Sequence, residues 1–172
     1  MAAARAAAYV RAYKRSRAVF ASSALTSAAA TFTYGAKTGL DSTTADGKAL
    51  FAKDHTGNTG VAAQSNVFTN ALGTDDAMLN KLANVGFNFM NASGNHMGYV
   101  FDTIIPYIIM SSQANKDLLG NVFYDRTAME TFQNVDTLTQ DLITSCRGRF
   151  SAGFGDWRHV ILGGAAAGST LT

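Results

Sequence analysis

The stretch that most restricts this chain lies near its start, Ala4 to Ala24, ARAAAYVRAYKRSRAVFASSA. It carries Arg5, Arg11, Lys14, Arg15 and Arg17 and no acid. Alanine and arginine are strong helix formers, so the stretch predicts one long helix. At 100° per residue Tyr9, Tyr13 and Phe20 fall on one stripe, with Arg11, Lys14 and Arg15 opposite. The Ser and Thr that follow Ala21 weaken the helix and place its end between Leu25 and Ala30. At 1.5 Å per residue it spans roughly 35 Å, too long to lie inside a small core, so it reads as a strut across a surface. The Arg, Ala and Ser bias without acids is shared with organelle transit peptides, but no mature-domain boundary follows.

The rest of the chain balances this end. Residues 1–40 carry a net charge of +6 and the remainder −4, which leaves +2 for 172 residues. Such a chain can pair head to tail with copies of itself or turn one end to a polyanion. Only 15% of the residues are charged against 47% apolar, a low charge that suits a surface covered by other subunits. The single cysteine, Cys146, excludes an internal disulfide and reads as a buried thiol. No run approaches the length of a membrane span.

Three segments are expected. Residues 1–30 form the basic amphipathic helix. Residues 31–66, rich in Gly, Thr, Asp and Asn, form a turn-rich extended segment with a turn at Asp46-Gly47. Residues 67–172 form a compact α+β part. Within it, Met78, Leu82, Val85 and Phe89 mark the buried side of a helix over 75–92, capped by Thr74 and Asp75 and ended by Ser93-Gly94-Asn95. The apolar run Thr103 to Met110 predicts a strand, with Pro106 placing it at an edge or a bulge. Ser111 or Ser112 caps a short helix through Leu119, stopped by Gly120. A helix over 127–147 is expected, with Met129, Phe132, Leu138 and Leu142 in the core, and then a strand from Trp157 to Leu162.

Reactive constellations are scarce. His55, His96 and His159 are far apart in sequence, and no pair has metal-ligand spacing. Asp54-His55 is a candidate dyad without a nearby nucleophile, and it reads better as a surface or interface pair. Asp75-Asp76 suit a helix N-terminus. Gly57 to Gly60 lack the Lys-Ser/Thr of a phosphate loop. No cofactor and no metal site are expected, and the chain does not read as an enzyme. Arg5, Arg11, Lys14, Arg15 and Arg17 are the candidate contact residues, either for the phosphates of nucleic acid or for an acidic neighbouring subunit.

The order of the pieces resembles the major capsid proteins of tailed phages, those with the Hong Kong 97 fold. Ala3 to Ala24 is similar to their long spine helix. Ala45 to Phe51, ADGKALF, is similar to the segment that follows it. Ile104 to Leu119, an apolar strand with proline and then L..A..LL, is similar to another part, as is Gly155-Asp156-Trp157 late in the chain. In that family an arm and an extended loop precede the spine helix; here the sequence starts at the helix. The resemblance implies a structural subunit that self-assembles into an icosahedral shell around double-stranded DNA. It implies copies of itself, packaged DNA, and portal, scaffold or decoration proteins as partners, no membrane, and a place in the virion after assembly in the host cytoplasm. The alternative is a non-specific nucleic-acid-binding protein that uses the basic helix.

Overall fold

The computed structural model describes residues 2–27, 29–56, 60–70, 76–105, 107–136, 138–139 and 142–165, with the backbone alone over 2–6. The fold is α+β, and the chain divides into two compact units. One unit is formed by residues 1–26 and 123–152, the other by 27–122 and 153–172. The expected first segment thus supplies the helix of one unit. The expected second segment lies wholly in the other unit, and the expected third is divided, with residues 123–152 joining that helix.

In the first unit, α1 is the α-helix Ala2–Thr26, which ends where Ser22, Ser23 and Thr26 turn their hydroxyls back onto carbonyls of the preceding turn. Its partners are β5, Asn121–Val135, and β6, Leu142–Phe154, which pair as a two-stranded sheet. So short a connection permits only an antiparallel hairpin. This corrects the expected helix over 127–147. Met129, Phe132, Leu138 and Leu142 are spaced by 3, 6 and 4, a poor helical stripe. The flanks are rich in Phe, Tyr, Thr and Val, which favour a pleated surface. Asp136 accepts the amide of Leu138 in a side-chain turn at the connection. Phe132, Leu138 and Leu142 are exposed, not in a core, and Met129 is half-buried. Cys146, expected buried, is free and exposed on β6.

The second unit opens with the hairpin of β1 (Thr31–Tyr34) and β2 (Lys37–Asp41). Residues 42–56 and 60–70 wind through turns and isolated bridges, and Leu50, Phe51, His55, Asn66, Val67 and Phe68 are all buried. The helix α2 runs Asp76–Phe87, with Leu82 fully buried and Met78 and Val85 partly so. It stops well short of its expected end at Ser93-Gly94-Asn95, because Phe89 leaves the helix to enter the core. Asn91 then accepts the amides of Ser93 and Asn95 in a separate turn. Thr74, Asp75, Pro106 and Gly57 lie outside the described residues.

The expected strand over 103–110 is two strands, β3 (Thr103–Ile105) and β4 (Ile108–Met110), paired antiparallel with Ile105 opposite Ile108. Tyr107 sits in the turn at φ 70°. β4 is the middle strand, with β7 (Val160–Leu162) on its other side. Residues 157–159, expected in that last strand, are a turn held by Asp156, which accepts the amide of Arg158. Between β4 and β5, α3 spans Ser112–Asp117, with buried Ser111 as its N-cap accepting the amide of Ala114.

Candidate functional site

Each unit offers one candidate. In the first, the aromatic seam of α1 does what its spacing predicts. Tyr13 and Phe20 pack edge-on against Phe150 at 5.9 and 5.3 Å, and Phe123 stacks on Phe150 at 5.5 Å. Tyr9, the third member, is partly exposed. Gly148 lets the helix come this close, since a Cβ there would stand 2.5 Å from the Tyr13 ring.

The five basic residues separate. Arg17 lies one turn beyond Tyr13 on the seam side. Its guanidinium sits over Phe123 at 4.6 Å and bonds Asp125 at 2.8 Å, so it is a packing residue. Arg11, Lys14 and Arg15 are exposed and make no ion pair among the described residues. Arg5 lies on the helix, and its side chain is outside the described part. The available row is therefore Arg11, Lys14 and Arg15, with partly exposed Val10 and Val19 beside it.

In the second unit the polar centre is one that sequence reading placed wrongly. His55 is not at a surface but fully buried, stacked flat on Trp157 at 4.1 Å. Its partner is not Asp54, whose carboxylate pairs with Lys48, but Asp46, 2.7 Å from Nδ1. Burial works to raise the Asp46 pKa, yet the Thr44 hydroxyl, His55 and the Lys48 amide together hold it below its ordinary value. Burial pushes His55 down, outweighing the Asp46 carboxylate. At neutral pH the pair is thus a carboxylate and a neutral ring that donates from Nδ1. Nε2 is buried and makes no hydrogen bond of ordinary geometry.

Around this pair the backbone is tied by side chains. Asn66, fully buried, accepts the Ala52 amide and donates to the Leu50 carbonyl at 2.8 Å. It also reaches the carbonyls of Trp157 and Val160. Gln64 clamps both backbone groups of Met90. Arg158 lies over Trp157, donates to Met90 O at 2.7 Å and pairs with Asp156 at 2.6 Å. His159, buried, lies between Asp156 O at 2.7 Å and the Asn121 side chain at 2.9 Å, and burial takes its pKa to about 4.

Asp46, Asp156 and Arg158 also line an open cleft of about 320 Å³ with Thr56, Trp157 and Gly155. Both carboxylates and the guanidinium are already bonded within the chain. The arrangement holds backbone segments together, and it presents no hydroxyl or thiol nucleophile to His55 among the described contacts. The signal available in the sequence was that Asp46 sits in the same turn-rich segment as His55. The pairing at nine residues' separation has no periodicity to announce it. Among the described residues no group of three His, Cys, Asp or Glu side chains is placed to hold a metal. No helix among them is long and apolar enough to cross a membrane. Comparison with protein-family models, with curated proteins and with solved structures finds no match for this chain.

Proposed function

We propose that this chain is a non-catalytic shell subunit. It is a major capsid protein of the tailed-phage, Hong Kong 97 kind, which self-assembles into an icosahedral head around double-stranded DNA. The observation that carries the reading is the apolar surface left in water by a single copy. Tyr124, Phe132, Val135, Leu138, Leu142 and Ile143 are exposed in the first unit. Phe87, Val100, Ile104, Tyr107 and Leu119 are exposed in the second. Monomeric proteins seldom expose such clusters, and a closed symmetric assembly covers them by repeating one contact set.

Three of the four segments that carry the family resemblance, all but the long helix, also meet within the second unit, which supports that part of the reading. The Ala45 amide of ADGKALF donates to Gly155 O at 3.0 Å, and the Gly155 amide donates to Leu119 O at 2.9 Å. Leu50 and Phe51 of the first motif and Trp157 of the last are buried in the same unit. On this reading the chain works in the virion, is assembled in the host cytoplasm, and has copies of itself, the packaged DNA and head accessory proteins as partners.

Electron microscopy and light scattering of the purified chain across salt concentrations test it. Closed shells or capsomer-sized rings are expected; a small monodisperse species under every condition overturns it. A second reading, non-specific nucleic-acid binding, is favoured by exposed Arg11, Lys14 and Arg15, which form no ion pair among the described residues. It predicts affinity for nucleic acid that falls steeply with salt and is lost on reversing Arg11 and Arg15.

A further inference from the structure

We infer that the face of the β5–β6 hairpin turned away from α1 binds single-stranded nucleic acid. Arg126 and Arg149 hold its phosphates, and Tyr124 and Phe132 stack its bases. This site is separate from the basic row of α1, and it exists whether or not the chain builds a shell.

Which side chains share that face follows from the period of two along a strand. Phe123 and Asp125 of β5 both meet Arg17 of α1, and Gly148 and Phe150 of β6 both lie against Tyr13. The alternate residues therefore point the other way: Tyr124, Arg126, Glu130 and Phe132 on β5, and Arg147 and Arg149 on β6. Glu130 and Arg147 pair across the two strands at 3.9 Å, as residues on one face can. All six are exposed, Tyr124 by 58% and Phe132 by 50%. One face of the hairpin is thus covered by α1 and the other is bare.

Charge narrows what can cover it. Three arginines against one glutamate leave the face positive, and Arg126 and Arg149 make no ion pair among the described residues. Two copies meeting through this face would set like charges opposite each other. Acids elsewhere on a second copy are engaged within their own chain: Asp46 with His55, Asp54 with Lys48, Asp156 with Arg158. An anion from outside is the better complement. The side chains then select among anions. All three bases are arginine, whose planar guanidinium bonds phosphate at two points and stacks on rings. Tyr124 and Phe132 stand in water on the same face, eight residues apart and so about 26 Å along the strand. A flexible single strand uses both features, laying phosphates on the cations and unpaired bases on the rings. A duplex or an acidic peptide would engage the arginines and leave the rings in water.

The test titrates the full-length chain into fluorescein-labelled oligothymidine and reads anisotropy across salt concentrations, with light scattering following assembly in the same samples. Binding is expected. Tyr124→Ala should weaken it about tenfold, the loss of one stacked base, and Tyr124→Trp should restore it. Arg126→Ala with Arg149→Ala should lower the slope of log affinity against log salt by about 1.4, at about 0.7 per phosphate contact. Arg11→Ala with Arg15→Ala should leave the Tyr124→Ala effect unchanged. All these side chains are exposed, so the fold survives, which circular dichroism verifies. No binding at low salt, or binding indifferent to Tyr124→Ala, overturns the site. Polyglutamate that displaces the oligothymidine equally well assigns the face to an acidic protein and overturns it too. Shells that form without affinity for the oligonucleotide overturn the site and leave the shell reading standing. A chain that stays single but binds through Tyr124 does the reverse.

Discussion

Asn66 is the sharpest point at which to perturb the second unit. Its side chain is fully buried and supplies the Ala52 amide with an acceptor at 3.1 Å and the Leu50 carbonyl with a donor at 2.8 Å. The contacts to Trp157 O and Val160 O, at 3.4 and 3.3 Å, are longer and share one amide nitrogen with the bond to Leu50, so they add little. Asn66→Ala removes two good bonds at about 1 kcal/mol each and takes this partner from the buried Leu50 carbonyl and the part-buried Ala52 N–H, about 1–3 kcal/mol more. The expected loss is about 3–5 kcal/mol, a large part of the 5–15 kcal/mol typical of a domain. Trp157, the only tryptophan, is buried in the same unit and reports its unfolding by fluorescence in urea. With a slope of about 2 kcal/mol per molar, the midpoint falls by roughly 2 M. Asn66→Asp keeps the acceptor and replaces the donor by a carboxylate facing carbonyl oxygens. Its pKa in the folded state is then raised, so the variant is least impaired below the unfolded value near pH 4 and loses stability as the pH rises through the folded value. A midpoint shift under about 0.5 M for Asn66→Ala, at unchanged slope, refutes the claim that this side chain pins the unit.

Acid stability gives a second prediction. Both buried histidines have pKas held below the ordinary value near 6.5, His159 at about 4. Folding therefore favours their neutral forms, and that contribution is present above pH 6.5 and lost as the pH falls towards 4, about 3 kcal/mol for His159 alone. Trp157-monitored midpoints should fall between about pH 7 and 4.5, and a flat profile contradicts the assignment. Gly148→Val is expected to push Tyr13 off the hairpin and cost the first unit about 1–3 kcal/mol, read by thermal melts in circular dichroism. Arg17→Ala should cost that unit about 1 kcal/mol, discounted because the side chain is one-third exposed, through lost contact with Phe123 and Asp125. Arg15→Ala should leave the melt within about 0.5 kcal/mol of the parent.

What was legible in the sequence was what periodicity encodes. The seam of Tyr13 and Phe20, the burial of Leu82 and the Ser111 cap each follow from local spacing, whereas Phe89, read as part of the same helix, is buried beyond its end. The hairpin at 121–154 was missed because its apolar residues serve two purposes. Phe123 and Phe150 pack inward, whereas Phe132, Leu138 and Leu142 stay exposed. A reading that assumes every large apolar residue belongs to the core of its own chain folds such a segment into a helix. His55 was misplaced for another reason. Its neighbour in sequence, Asp54, turns away to Lys48, and its real partners, Asp46 and Trp157, are brought by turns and by tertiary packing. Long-range pairs of this kind leave no trace in a window of neighbouring residues.

On the proposed shell reading, the buried polar ties have a consequence, since the subunit would work in many identical copies. A core of Leu50, Leu82, Trp157 and Ile161 alone could tolerate small slips of one segment against another, since apolar contact is not directional. The bonds of Asn66, Gln64 and Arg158 are directional: Asn66 ties its segment to the Leu50 carbonyl, and Gln64 and Arg158 both tie theirs to Met90. Slipping by one residue would bury those groups unpaired, at about 1–3 kcal/mol apiece. On the shell reading this is where uniqueness matters most, because an error in one subunit is repeated at every symmetry-related contact. On that reading the polar centre of a chain of low charge sets the shape of the subunit and leaves association to its exposed apolar surface.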